Sequence, residues 1–208
     1  MEGRYPLSLR CVYSNCNNQS QRDEFNRWYS TVHLPDMVST GLVAHPRRFD
    51  NQSPQLGEPE YLAVYEIGND DLESLEGELR CHVKRWNEEG RMHLALSPQG
   101  IGRWNRIGPE LKTAKTGKSP VTGILAAETR CSDPSQEDEF NEWYNNVHIP
   151  EILLSGMYHS AYRYEAALIS NPGLTQPNQG GYLCIYETDL EDPTKALQGI
   201  RQNIRPRW

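Results

Sequence analysis

Residues 23–35 read DEFNRWYSTVHLP, and residues 138–150 read DEFNEWYNNVHIP. Nine of these thirteen positions are identical at a fixed offset of 115 residues, which chance does not produce. The chain is therefore a tandem duplication, and this repeat governs how the rest is read. Upstream, the offset carries Cys16 onto Cys131 and Ser20-Gln21 onto Ser135-Gln136. Downstream, it carries Gly41 onto Gly156 and Arg48 onto Arg163. The register then slips by six residues, because the loop at 166–181 is longer than the one at 51–60. Beyond it, YLAVYE (61–66) matches YLCIYE (182–187).

Each copy has the same order of elements. A strand spans Leu7 to Tyr13, or Thr122 to Thr129. Ser20 or Ser135 is placed to cap the helix that follows. Phe25, Trp28, Tyr29 and Val32 recur at helical spacing on one face, as do Phe140, Trp143, Tyr144 and Val147. Pro35 and Pro150 are expected to break or kink that helix, with a short second piece running to about Thr40. Gly41 and Gly156 suit its C-terminal cap. Two strands follow, near 42–50 and 60–67 and again near 157–165 and 181–188. A second helix starts after Asp71 with Leu72, Leu75 and Leu79 on one side, and a closing strand fits Gly102 to Ile107. The order β-α-β-β-α-β is that of a ferredoxin-like unit.

The expected fold class is thus α+β: two tandem ferredoxin-like units, packed sheet to sheet as an intramolecular dimeric α/β barrel. The first unit is placed at 1–108. A polar linker rich in Lys, Thr, Gly and Pro is placed at 109–120. The second unit, at 121–208, is shortened at its end, with its last helix and strand abbreviated or lost.

Composition narrows the function classes. The chain has 208 residues, 37% of them apolar and 24% charged, as in a folded globular protein. A formal net charge of −7 argues against a nucleic-acid binder, whose affinity comes from neutralising phosphates. No apolar run reaches the ~18 residues of a membrane helix. The first residues lack the layout of a signal peptide, so a cytoplasmic setting and no membrane partner are expected. Five cysteines without a CxxC pair indicate neither a zinc ribbon nor a disulfide framework. No HxxxH, HxH or HExxH spacing marks a metal site, and no glycine-rich phosphate loop marks a nucleotide cofactor.

The pattern F-N-x-W-Y-x-x-V-H-x-P, then Gly, then a strand with Arg and an aromatic (Arg48-Phe49, Arg163-Tyr164), then Y-L-x-x-Y-E, resembles the EthD-like branch of the dimeric α+β barrel superfamily. The resemblance covers roughly residues 7–107 and 122–190. It implies an intramolecular pseudo-dimer with a cavity between sheet and helices in each unit. It also implies a range of activities: cofactor-free cyclases, decarboxylases, isomerases, lyases and monooxygenases, along with haem-binding relatives. Fold alone does not choose among them.

His33 and His148 are the candidate catalytic residues. Each follows the Tyr of the motif by about one helical turn, and an imidazole can take and return a proton near neutral pH. The resemblance implies that this histidine faces the pocket; the structural alternative is an imidazole that caps a helix end. Strand alternation assigns Leu62 and Val64 to the helix side, leaving Tyr61, Ala63 and Tyr65 on the opposite face, with Tyr182, Cys184 and Tyr186 their counterparts. Those four tyrosines are read either as substrate-orienting phenols of a barrel interior or as core filler. Arg48 and Arg163 either bind a substrate carboxylate or pair with a structural acid such as Glu66 or Glu187. His159, Glu128, Trp28 and Trp143 complete the set of candidate binding residues, and the second unit is favoured as the working one. A cofactor-independent acid/base enzyme acting on a small aromatic or apolar carbonyl compound is expected, with no cofactor. A non-catalytic binding protein for a hydrophobic metabolite and a haem-dependent relative are the alternatives. Exposed sheet edges leave room for a further homodimer.

Overall fold

The structure is a computed structural model, and it describes residues 1–52, 54–55, 57–69, 71–167 and 181–203. The chain is of the α+β class and packs into two compact units. The first holds residues 6–105 with Ala167, and the second holds residues 1–5, 106–166 and 181–203.

The first unit runs β1 (Ser8–Cys16), α1 (Arg22–Trp28), α2 (Leu34–Ser39), β2 (Ala44–Asp50), β3 (Tyr61–Ile67), α3 (Leu72–Glu88) and β4 (Leu96–Arg106). Its antiparallel strands lie in the order β2-β3-β1-β4, as the ferredoxin-like reading requires. The second unit contains β5 (Leu111–Lys112), β6 (Gly123–Thr129), α4 (Glu137–Trp143), α5 (Ile149–Leu154), β7 (Ser160–Ala166), β8 (Tyr182–Thr188) and α6 (Thr194–Asn203). Its strand order is β7-β8-β6, with β5 on the outer side of β7. The stretch read as a linker therefore includes a two-residue strand, paired as Leu111↔Ala161 and Lys112↔Ser160. The last helix of the second unit is present at ten residues against seventeen for α3. Any closing strand after it would fall on 204–208, outside the described residues.

Two local expectations are corrected. The serines do not cap. Asn18 and Asp133 accept hydrogen bonds from the backbone N–H and hydroxyl of Ser20 and Ser135, respectively, and so start each helical segment. The proline does not end the helix, although the short second piece expected after it is present as α2. Tyr29–His33 and Tyr144–His148 form π-helical turns that join α1 to α2 and α4 to α5. Leu34 donates to the Tyr29 carbonyl and Ile149 to the Tyr144 carbonyl, five residues back. The wider turn accommodates a proline that lacks an N–H and crowds the preceding turn, so the backbone stays helical to Thr40 and Ser155. Gly41 and Gly156 then end the helices with φ +73° each, a conformation that costs glycine little.

The first core gathers Phe25, Tyr29 and Met37 from the motif helix with Tyr61, Ala63 and Tyr65 of β3 and Leu72, Leu75, Leu79 and Trp86 of α3. The second gathers Tyr144, Ile149 and Ile152 with Cys184 and Tyr186 of β8 and Ala196 of α6. Burial of these large side chains, at about 1.5–3 kcal/mol each, is the main drive for docking each motif helix on its sheet.

Candidate active site

The tyrosines of β3 and β8 lie on the face opposite to the one alternation alone had assigned. Tyr61 packs on Phe25 with ring centroids 5.7 Å apart, and Tyr182 packs on Phe140 at the same distance. Tyr61, Ala63 and Tyr65 thus face the motif helix, while Leu62 and Val64 point the other way.

Arg48 and Arg163 share that face, because their cross-strand partners are Ala63 and Cys184. A bulge between Ala44 and Arg47, with His45 at φ 45°, precedes Arg48 in β2. Neither arginine bonds an acid among the described residues. The Arg48 guanidinium carbon lies 3.9 Å from the Tyr61 ring centroid and 4.4 Å from that of Tyr29, and its Nη1 donates to Asn26 Oδ1 at 2.9 Å. Arg163 lies 4.3 Å from Tyr144 and 4.7 Å from Tyr182, and it donates to Asn141 and Asn145. Cation–π contact and amide oxygens stabilise these charges where a carboxylate had been expected.

The histidines complete a repeated constellation. His33 is stacked on Trp28 at 5.1 Å and meets Tyr29 edge-on at 4.9 Å. His148 is stacked on Trp143 at 4.8 Å and lies 4.7 Å from Tyr144. The motif tyrosine therefore touches both the histidine and the arginine in each unit. No hydrogen bond reaches either imidazole among the described residues. Burial, and then the Arg10 charge, push His33 down to about 4; Arg48 adds to this and Asp36 opposes it. Burial also lowers His148, with Glu151 opposing. Both rings are neutral at pH 7. Burial holds Tyr65 well above the ordinary phenol range, and the Tyr29 phenol adds to it, so Tyr65 stays a hydroxyl. Tyr186 is raised in the same direction, also chiefly by burial.

Other sequence candidates fall outside these clusters. Glu128 pairs across the strands with Leu183, so it lies on the face away from Cys184 and Arg163. His159 is buried just before β7, where its Nδ1 lies 3.1 Å from the Ser160 hydroxyl, which itself donates to Glu187. That network is separate from His148. A metal-ligating imidazole is normally oriented by a hydrogen bond from its second nitrogen, and neither motif histidine has one. No group of three or more His, Cys, Asp or Glu among the described residues could hold a metal ion.

No protein-family model matches the chain. It is similar to core atranone cluster (CAC) protein 1 of Stachybotrys chlorohalonatus, with 29% identity over 199 residues, spanning 84% of this chain and 78% of that protein. Among solved structures, it is similar to a candidate chlorite dismutase at TM-score 0.49 and 9% identity, covering 96% of this chain and 87% of that one. It is also similar to a candidate monooxygenase from Lactobacillus acidophilus at TM-score 0.45 and 8% identity, covering 97% and 90%. No helix among the described residues is long and apolar enough to cross a membrane.

Several residues of the site escaped the sequence reading. Arg10 lies opposite Tyr65 in the β1–β3 ladder, and its Nε donates to Glu76 of α3 at 2.7 Å. Arg103 donates to the other Glu76 oxygen at 3.0 Å. Glu76 stays ionised although burial works against it, because the two arginines outweigh that cost. A signal existed: Glu76 interrupts the apolar stripe Leu72, Leu75, Leu79 of α3, and a charge in such a stripe calls for a buried partner. Asn26 and Asn141 stand in the repeated motif, yet their role as arginine partners becomes visible only in three dimensions.

Proposed function

We propose that the chain is a cofactor-independent acid/base enzyme acting on a small, largely aromatic or apolar carbonyl compound, of lyase, decarboxylase, cyclase or isomerase type. The carrying observation is a neutral imidazole, buried at His33 and half-buried at His148, in contact with a tyrosine that also carries an arginine on its ring face in each unit. His33, unprotonated at neutral pH, accepts a proton from the carbon next to the carbonyl. The electron pair moves onto the carbonyl oxygen, where a protonated Tyr65 and the cationic Arg48 stabilise it. Returning the proton at another atom, or losing a leaving group, completes the reaction. Burial does most to hold His33 down, and an anionic substrate would offset the Arg10 and Arg48 charges that add to it, strengthening it as a base. Resemblance of the motif to the EthD-like branch supports this reading, as does similarity to a protein named for the atranone cluster, which suggests work on a small metabolite.

The test is hydrogen–deuterium exchange at carbon. Small aromatic ketones and β-keto acids are incubated with the protein in D2O and followed by proton NMR. The wild type is expected to accelerate exchange for at least one compound, and His33→Gln to lose the effect. Unchanged exchange in the His33→Gln/His148→Gln double variant would overturn the proposal.

A further inference from the structure

The two arginines differ in what they leave open. Arg48 spends Nη1 on Asn26, while its Nε and Nη2 are buried and have no partner. Those two N–H groups form one edge of the guanidinium, parallel and spaced to meet both oxygens of a carboxylate. In the second unit Asn141 Oδ1 takes Nη2 of Arg163 at 2.6 Å, and Asn145 Oδ1 takes Nη1 at 3.1 Å. Only Nε of Arg163 is left over, so the paired edge is broken. The copies also differ at the position after the motif tyrosine, Ser30 in one and Asn145 in the other, and Asn145 takes the Nη1 that in Arg48 goes to Asn26.

The surrounding charge points the same way. Arg10 faces Tyr65 in the first unit, whereas Leu125 faces Tyr186 at the equivalent place in the second. Arg10 and Arg103 share the single carboxylate of Glu76, and Arg48 has none among the described residues. The first cluster therefore carries an uncompensated positive charge next to two unmade donors, which is costly unless an anion completes it.

We infer that Arg48 binds a carboxylate of the substrate through Nε and Nη2, that Arg163 is a structural counterpart, and that the duplicated chain holds one anion site, in its first unit. This rests on reading the first cluster as the reaction site and adds the substrate class: a small aromatic or apolar acid.

The probes are 2-naphthoate and its uncharged analogue 2-naphthamide, titrated calorimetrically into the full chain. Naphthoate is expected to bind once per chain, at least about tenfold more tightly than naphthamide. Arg48→Lys and Arg48→Gln should each weaken naphthoate by about tenfold or more, because neither offers the two-point edge. Arg163→Lys should leave the affinity within about twofold. In ¹⁵N-labelled wild type, the Arg48 Nε–H signal should move on adding naphthoate while that of Arg163 stays, a readout that does not depend on the variants folding. Equal binding of the two probes, no naphthoate binding, or loss of binding on changing Arg163 instead would overturn the inference. His33→Gln separates it from the proposed reaction. Retained naphthoate binding without exchange activity in any variant keeps the anion site and removes the acid/base reading; exchange on neutral ketones without naphthoate binding does the reverse.

Discussion

The Arg48 guanidinium carbon lies over the Tyr61 ring, 3.9 Å from its centroid, while Arg163, its repeat counterpart, is fully buried and bonded to two asparagine side chains. Equivalent residues thus have different attachments, and their replacement should cost different amounts. Arg48→Lys loses the guanidinium's contact with the Tyr61 and Tyr29 rings and one hydrogen bond, an expected destabilisation of about 1–2 kcal/mol. Arg163→Lys cannot reproduce the fork to Asn141 and Asn145 and should cost about 3 kcal/mol. Urea unfolding of both variants checks the order, with Arg163→Lys the less stable.

His33 makes stability depend on pH. Its folded value of about 4 lies below that of a free imidazole, near 6.5. Above about pH 6.5 the ring is neutral in both states and contributes no pH dependence. Below that, the unfolded chain binds a proton that the folded chain refuses, so stability falls until about pH 4. From this group the loss between pH 7.5 and 5.0 should be about 2 kcal/mol. His148, His159 and the carboxylates paired in the fold act in the same direction. The measurement is therefore a difference: His33→Phe should lose less stability than the wild type over that interval in urea titrations.

Glu76 sits between Arg10 and Arg103, at 2.7 and 3.0 Å. Glu76→Gln would leave two buried guanidinium groups without an opposing charge, and should destabilise by about 3–5 kcal/mol. Replacing all three residues with Leu or Met should recover much of that loss. Calorimetric unfolding of the single and triple variants provides the comparison.

Tyr61 and Tyr182 are equivalent but bond opposite charges at equivalent positions. The Tyr61 hydroxyl accepts from Arg22 Nε at 2.9 Å, whereas the Tyr182 hydroxyl donates to Glu137 Oε1 at 2.7 Å. Arg22→Ala and Glu137→Ala should each cost about 1 kcal/mol. Introducing Glu at 22 or Arg at 137 should cost no more than the alanine does, because a phenol can turn either donor or acceptor to its partner. Thermal unfolding of the four variants measures this.

The thiols should react in a fixed order. Cys81 is exposed on α3, Cys131 is half-buried, and Cys11, Cys16 and Cys184 are buried, with burial pushing Cys184 up to about 12. Titration of the native protein with a disulfide reagent should modify Cys81 first, and Cys81→Ser should abolish the fast phase. The buried three should react only in denaturant.

Much of the fold was legible because the chain states it twice. The repeat placed the strands, the motif helices and the glycine caps, since local periodicity and turn chemistry are short-range properties. Local reasoning failed where two short-range rules competed. Pro35 forbids one backbone hydrogen bond, and the chain answered with a π turn that keeps helical dihedrals. Ser20 looked like a cap, but Asn18 and Asp133 lie at the position where a side-chain oxygen reaches the free N–H groups. Alternation in YLAVYE showed that Tyr61 and Tyr65 share a face with Ala63, but could not tell which face the helix covers.

The amino-acid sequence by itself determined the duplication, the α+β class and the pairing of His33 with His148, Arg48 with Arg163, and the tyrosines of β3 with those of β8. Those follow from residue order and spacing, which identical motifs carry without reference to their surroundings. Tertiary structure alone decided that the tyrosines face the helices, that Arg10 and Glu76 join the first cluster, and that one arginine keeps a paired edge open while asparagine takes half of that edge in the other. The physical reason is that burial and hydrogen-bond satisfaction depend on neighbours far apart in the chain. Arg10 and Glu76 are 66 residues apart, and their 2.7 Å contact exists only once sheet and helix have packed.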